Sequence, residues 1–533
     1  MSRSFVALSL AVSCLTLGGC KKEDPKSPEY WQSSMEGAKR PDDRVRVIEA
    51  LRTSGNVNEQ FLPLLHAKLS SERKPEVKAA VARTLGDLHH PSSLEPLTAA
   101  LDPSASDSSE QQANKAVVTA LGRIGDARAV PSLMPLLRNK DNYTRIEAIQ
   151  VLGALKAKSA VEPLIAMATD EAAEPFLNKK AIEALGQIGD PRAIPALLRT
   201  LTKERKGVSF YVESSFALYQ LGTPAADALL PALEGKDPEL LSWAKAQGVN
   251  PASYPMKAAQ VLGDLREKRA VPSLVKQLSF THSDPQIQAL VRMQAADALG
   301  RMRAPEAVKP LSVLVAEPDP TVRDVYVRAL VMVGSRDALP ALEKAAGSPD
   351  WYAREVALKG IALLGDAREQ PMLAKLAAAE PGRTASDCKV TGEEGCEDAA
   401  ALGKKRADLV LGHGAVLEAA QACAGNAGCW SQRLPKADAV MLERAALELG
   451  RSGAAAADQG PTLATRLTEK NTEARATVIQ AVDWLTDEPA AAKKVREASL
   501  PALRKQLEDE KGNSNFVRVN EDLRRLLVKL ERT

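Results

Sequence analysis

The sequence is short of most of what reactive sites and large globular cores are built from. Aromatic residues make up only 4% of its 533 positions, whereas a compact core of that size normally uses more large rings as filling. Histidine occurs five times, at His66, His89, His90, His282 and His413, and none of them precedes a glutamate. There is no His-Glu-x-x-His, no Gly-x-Ser-x-Gly elbow, no phosphate-cradling Gly-x-x-x-x-Gly-Lys and no Cys-x-x-Cys pair, so the chemistries these patterns serve have no local signature. Gly412-His413-Gly414 lacks a third glycine at the offset a dinucleotide turn requires. A surplus of charge is missing too. The balance of 71 basic and 68 acidic residues leaves +3, or +2 once a leader carrying Arg3 is removed, which gives no electrostatic footprint for nucleic acid.

What is present begins with a targeting segment. Arg3 supplies a positive start, and Phe5 to Leu17 form an apolar run too short to cross a bilayer as a helix. The run ends in Leu17-Gly18-Gly19-Cys20, which resembles the lipobox of bacterial lipoproteins. That resemblance implies cleavage before Cys20 and lipidation of its thiol and amine, a durable anchor because several acyl chains act together. Residues 1–19 are thus expected to be a signal peptide. Residues 20–42, charged and proline-bearing, are expected to be a flexible tether. Lys21 rather than Asp follows the lipidated position, so the resemblance favours the outer membrane, facing the periplasm, over the inner one.

The body repeats. Leu-Gly pairs fall at Leu85-Gly86, Leu121-Gly122, Leu152-Gly153, Leu185-Gly186, Leu221-Gly222, Leu262-Gly263 and Leu299-Gly300, and Val333-Gly334 and Leu364-Gly365 continue the series. Each is followed by a second marker, from Pro96 and Pro131 through Pro340 and Pro371. Two phased markers define a helical hairpin repeat. In 114–139, Ala116, Ala120 and Leu121 give the first helix an apolar stripe, and Gly122 and Gly125 are expected to end it in left-handed conformation. Asp126 then caps the second helix, Pro131 sits near its start, and Leu133, Leu136 and Leu137 line its buried side. These segments resemble the HEAT-like repeats also known as phycobilisome-lyase repeats. The expected fold is all-α: a right-handed α-solenoid of about a dozen hairpins stacked so that each buries its neighbour's stripe. Residues 43–380 form the regular array and 381–434 a cysteine-containing insertion with a divergent unit. Residues 435–533 form divergent units closed by a polar-faced capping helix near 514–531. The stretches 234–256 and 379–406 break the rhythm and read as loops.

With Cys14 in the leader and Cys20 lipidated, four cysteines remain. An even set in one region of an exported chain reads as disulfides. Three connectivities are open; local pairing, Cys388–Cys396 and Cys423–Cys429, is expected because each pair brackets a glycine-bearing turn. A zinc site is the alternative, although spacings of eight and six residues are not the usual short pairs.

The sequence reads as a membrane-anchored, non-catalytic scaffold holding a protein partner on a concave face lined by the second helices. No enzyme activity, cofactor, metal, nucleic acid or small-molecule substrate is expected. The alternative is a HEAT-repeat enzyme, either a lyase attaching bilin pigments or a deoxyhypusine hydroxylase. The hydroxylase class binds two irons through His-Glu dipeptides, and this chain contains no such dipeptide. The anchor has a direct test. Cys20→Ser should move the protein from the membrane to the soluble fraction of its cell, and a variant that still sediments with membranes rules out the lipid as what holds it.

Overall fold

The computed structural model describes residues 24–391, 394–510 and 517–532. Leu17, Gly18, Gly19 and Cys20 lie outside the described residues. Among those described, regular structure is helical apart from one hairpin of two short strands, Glu204–Arg205 and Val208–Ser209. The fold is an all-α solenoid. It divides into two compact units, one ending at Pro163 and the other beginning at Leu164, a boundary inside the stretch expected to be one regular array.

In the first unit the successive first helices are Pro41–Thr53, Pro75–Leu88, Ser108–Ile124 and Asn142–Ala154. The 114–139 repeat shows how its local rules are met. Gly125 caps the first helix at φ 74° and donates its N–H to the Leu121 carbonyl. The Asp126 carboxylate accepts from the Arg128 N–H at 2.9 Å, opening the second helix. Gly122, however, does not end the helix. It lies inside Ser108–Ile124, where a Cβ would stand 2.7 Å from Val151 Cγ2 of the next first helix. At this repeat the glycine of the Leu-Gly pair is a contact between helices, whereas at Leu221-Gly222 and Val333-Gly334 it does end the helix, at φ 66° and 82°.

The second unit repeats that contact. At Gly263 an added Cβ would meet Ala298 Cα at 2.7 Å, and at Gly186 it would meet Ala217 Cα at 2.7 Å. First helices therefore touch backbone to backbone along the stack, while second helices touch one another far less. A stack tighter along one row of helices bends toward that row. Within this unit the first helices line the inner side, contrary to the expectation that the second helices do so.

Four further expectations are corrected. Residues 20–42 are not tether throughout, because Pro28–Gly37 is a helix whose N-terminus is capped by the Ser27 side chain. Residues 234–256 are not a loop: Pro238–Ala246 is an extra helix capped by Asp237. Tyr254 beyond it is buried, its hydroxyl accepting from Thr202 Oγ1 at 3.0 Å. Nor do 379–391 and 399–406 loop out; they belong to two long helices, Gln370–Thr391 and Ala399–Ala422, that pack on each other. Arg354, 1% exposed, fastens the first of these to the array through Glu380 at 2.6 Å and Asp387 at 2.8 Å. Finally, the tail helix Val517–Arg532 is not a polar-faced end cap. It buries Leu523, Leu526, Leu527 and Leu530 and also touches the helix Tyr211–Leu221 far back along the chain.

If glycine is required for close approach, substitution should separate two kinds of site. Gly263→Ala should destabilise the protein by about 1–3 kcal/mol, since the opposing atoms are backbone and cannot swing away. Gly412→Ala, in a helix and with nothing within 4 Å of its missing Cβ, should stabilise it by roughly 0.5–1 kcal/mol. Denaturant midpoints of the two variants check the contrast.

Candidate functional site

The inner side of the second unit is occupied by its own C-terminal repeats. The helices Ala439–Arg451, Thr472–Leu485 and Val517–Arg532 face the first helices of the central repeats, from Tyr211–Leu221 to Trp351–Leu364. They share an apolar core running from Leu442 through Val478 and Ile479 to Leu530, and beside Leu447 and Trp484 they turn many charged side chains toward the central helices.

Asp264, its side chain 1% exposed, sits between Arg525 at 3.0 Å, Arg518 at 3.4 Å and Arg301 at 3.6 Å. Arg301 also pairs with Asp297 at 2.8 Å on its own helix and with Asp522 at 3.1 Å on the tail helix. Burial opposes the Arg301 charge, but Asp297, Asp522 and Asp264 outweigh it and raise its pKa; burial is likewise overcome at Asp522, which is held well below the usual carboxylate range by Arg301, Arg518 and Arg525. Arg266 pairs with both Asp483 and Asp487. The Trp484 indole donates to the Arg301 carbonyl at 2.9 Å. Further along, Arg444 donates to the carbonyls of Ala362 and Gly365 at 3.1 and 2.9 Å, and Lys359 bridges Glu443 at 2.9 Å and Glu473 at 2.6 Å. These side chains hold both walls.

A cleft of about 400 Å³ opens in this seam. Asp297, Asp324 and Arg328 line it from the central helices, and Glu473, Arg518 and Asp522 from the C-terminal ones. Its carboxyl groups are driven apart in acidity. Burial pushes the Asp324 carboxyl up, and the negative charge of Glu473 pushes it further. Glu473 is drawn down by its hydrogen bond with Lys359. Neither residue was singled out from the sequence. Asp324 sits in an ordinary first helix and Glu473 in a degenerate repeat, and only the return of the chain puts them in one cleft.

The residues that were singled out lie elsewhere. The disulfides are Cys388–Cys396 and Cys423–Cys429, each with a Cα–Cα distance of 5.3 Å. Cys388 is in the last turns of Gln370–Thr391, and Cys423 ends Ala399–Ala422, so both bridges tie helix ends. His89 and His90 form a turn: His89 is left-handed at φ 52°, and His90 Nδ1 accepts from the Ser92 N–H at 3.2 Å. His66 bonds Ser93 at 2.9 Å, and His282 accepts from the Asp284 N–H at 2.9 Å. His413 is buried on Ala399–Ala422, and none of the five histidines lines the cleft. Among the described residues, no group of three or more His, Cys, Asp or Glu side chains is placed to hold a metal ion.

The model of HEAT repeats matches residues 33–109, 62–143, 103–176, 135–213, 251–325 and 309–386, together more than half of the chain. The chain belongs to the HEAT-repeat family. It is 27% identical over 310 residues to a deoxyhypusine hydroxylase of Phaeosphaeria nodorum, covering 51% of this chain and 91% of that one. To the deoxyhypusine hydroxylase of Bos taurus it is 29% identical over 229 residues, covering 40% of this chain and 72% of that one. Among solved structures, human deoxyhypusine hydroxylase in complex with glycerol aligns with 57% of this chain and 95% of its own at 20% identity and a TM-score of 0.20. Yeast importin-beta, Kap95p, aligns with 92% of this chain and 69% of its own at 13% identity and a TM-score of 0.44.

The curated relatives are enzymes, and they overturn the expectation of a non-catalytic scaffold. A pair of irons held through His-Glu dipeptides finds no such dipeptide in the sequence, and among the described residues no cluster is placed to hold a metal ion. The residues present do not fit that centre.

His413 supplies a pH test of the packing around the seam. Burial, with the nearby Lys359 charge, lowers its pKa from 6.5 to about 4. The unfolded chain therefore takes up this proton first as pH falls. The stabilising contribution of neutral His413 is present above pH 6.5 and is lost between 6.5 and about 4. The full loss is about 3 kcal/mol. His413→Gln should flatten the stability profile across that window, and denaturant unfolding at several pH values measures it.

Proposed function

We propose that this chain is an enzyme of the same HEAT-repeat stock as the deoxyhypusine hydroxylases, working through carboxyl groups in its inner cleft rather than through a histidine-held metal. The observation that carries the reading is the pair Asp324 and Glu473. Two carboxyls on one cleft, one pushed toward its protonated form and the other held ionised, are the arrangement general acid–base catalysis uses. In this reading Asp324 gives a proton to a bound ligand and Glu473 takes one, with Lys359 keeping Glu473 charged until it does so. The cleft volume of about 400 Å³ suits a small molecule or one side chain of a larger one.

We also propose that the N-terminus anchors this chain in the cell envelope. Leu17-Gly18-Gly19-Cys20 supports a lipid anchor on Cys20 in the cell envelope, and the resemblance at Lys21 favours the periplasmic face of the outer membrane. The two cysteine pairs support an oxidising compartment. Among the described residues no helix is long and apolar enough to cross a membrane. The phased Leu-Gly and Pro markers support the phycobilisome-lyase subtype of the repeat.

Wild type, Asp324→Asn and Glu473→Gln should be incubated with a pool of metabolites and peptides followed by mass spectrometry. A deoxyhypusine-bearing substrate should be run in parallel, with and without added ferrous iron. The expected outcome is metal-independent turnover that falls by about 10²–10⁴-fold in each variant while helicity is unchanged. Iron-dependent hydroxylation that survives Asp324→Asn defeats the carboxyl reading, and a wild type that alters nothing defeats the enzyme reading.

A further inference from the structure

The cleft is not carved into one block of repeats. Its walls come from two stretches far apart in the chain: Asp297, Arg301, Asp324 and Arg328 on one side, Glu473, Arg518 and Asp522 on the other. We propose that the C-terminal repeats are an ionic clasp that closes on the central first helices and thereby assembles the cleft, and that the clasp opens and shuts with ionic strength.

Two contrasting kinds of contact lead to this. Along each stack, neighbouring repeats meet through Ala, Gly and Leu, so closely that a Cβ added at Gly263 would stand 2.7 Å from Ala298 Cα. Separating such surfaces exposes apolar area to water, so the stacks stay intact. Across the seam guanidinium–carboxylate, guanidinium– and indole–carbonyl, and ammonium–carboxylate contacts recur, with a smaller apolar patch where Leu447 lies near Val331 and Leu363. Their attraction is largely offset by the hydration they give up, so separating them returns charges to water at small net cost. The seam is the boundary at which this unit divides most cheaply.

The seam is also graded from inside to outside. Asp264 is 1% exposed and Arg525 is 6% exposed at its inner end. Asp487, which meets Arg266 and Lys529, is 52% exposed at the rim. Salt screens exposed pairs far more than buried ones, so opening starts at Arg266. Trp484 is next in line. It is 4% exposed, its indole donates to the Arg301 carbonyl, and Arg303 lies over its ring at 5.4 Å. Opening carries Asp324 away from Glu473, so the cleft has both carboxyls only in the closed form. The clasp rests on geometry alone and stands whether or not the cleft is catalytic.

Trp484 is the reporter. The full chain is labelled with 5-fluorotryptophan, and its Trp484 resonance is assigned by its loss in Trp484→Phe. At low salt the resonance should show no solvent isotope shift. As sodium chloride is raised to about 1 M, where the Debye length falls to about 3 Å, it should gain one while circular dichroism stays constant. Arg266→Glu should open at lower salt than wild type, and Arg266→Lys, which keeps the charge but loses the two-pronged pairing with Asp487, should open between the two. A Trp484 signal that stays shielded across the wild-type salt titration overturns the proposal, even if Arg266→Glu fails to fold. So does exposure of Trp484 that comes only with loss of helicity.

Discussion

Close approach of consecutive first helices is the constraint from which the rest of this structure follows. It needs a residue without a side chain where the helices cross, and at several repeats the glycine of the Leu-Gly pair supplies it: at Gly122, Gly186 and Gly263 a Cβ would fall within 3 Å of the next helix. Because first helices come close and second helices do not, each repeat adds a small rotation toward the first-helix row. The inner side of the second unit is therefore built from first helices, and their polar positions face inward.

That inner side would be a long, charge-bearing groove if the chain ended near residue 370. Instead the antiparallel pair Gln370–Thr391 and Ala399–Ala422 turns the chain, and the C-terminal repeats come back along the groove. A surface already carrying Asp264, Asp297, Arg301 and Lys359 is matched by Arg525, Arg518, Asp522 and Glu473. Buried ion pairs add little net stability relative to apolar contacts but penalise any misregistered pairing, because an unmatched buried charge is costly. The seam thus sets how the returning repeats dock, while the apolar cores on either side supply most of the free energy.

The similarity to deoxyhypusine hydroxylases and the absence of their His-Glu pattern are compatible once framework and site are separated. Repeat frameworks are held by positions that bury Ala, Leu and Gly. Reactive groups sit on the remaining surface and change without disturbing the stack. Here the cleft is lined by carboxyls and arginines, with the Asp324 and Glu473 acidities set by burial and by Lys359.

The sequence by itself determined the repeat. Phased Leu-Gly and Pro markers placed the hairpins, Asp126 and Gly125 behaved as local capping rules require, and the all-α solenoid followed because such rules act over a few residues. It did not determine which helix row lies inside, since Gly122 as a helix ender and Gly122 as a contact point look the same in a string. Nor did it reveal that Val517–Arg532, charged enough to suggest an end cap, lies against helices some 300 positions earlier; its Tyr219–Arg525 contact spans 306 residues. Asp324 and Glu473 are unremarkable surface acids in sequence. Only the tertiary return of the chain, which pairs charges distant along it, brings them into one cleft and separates their proton affinities.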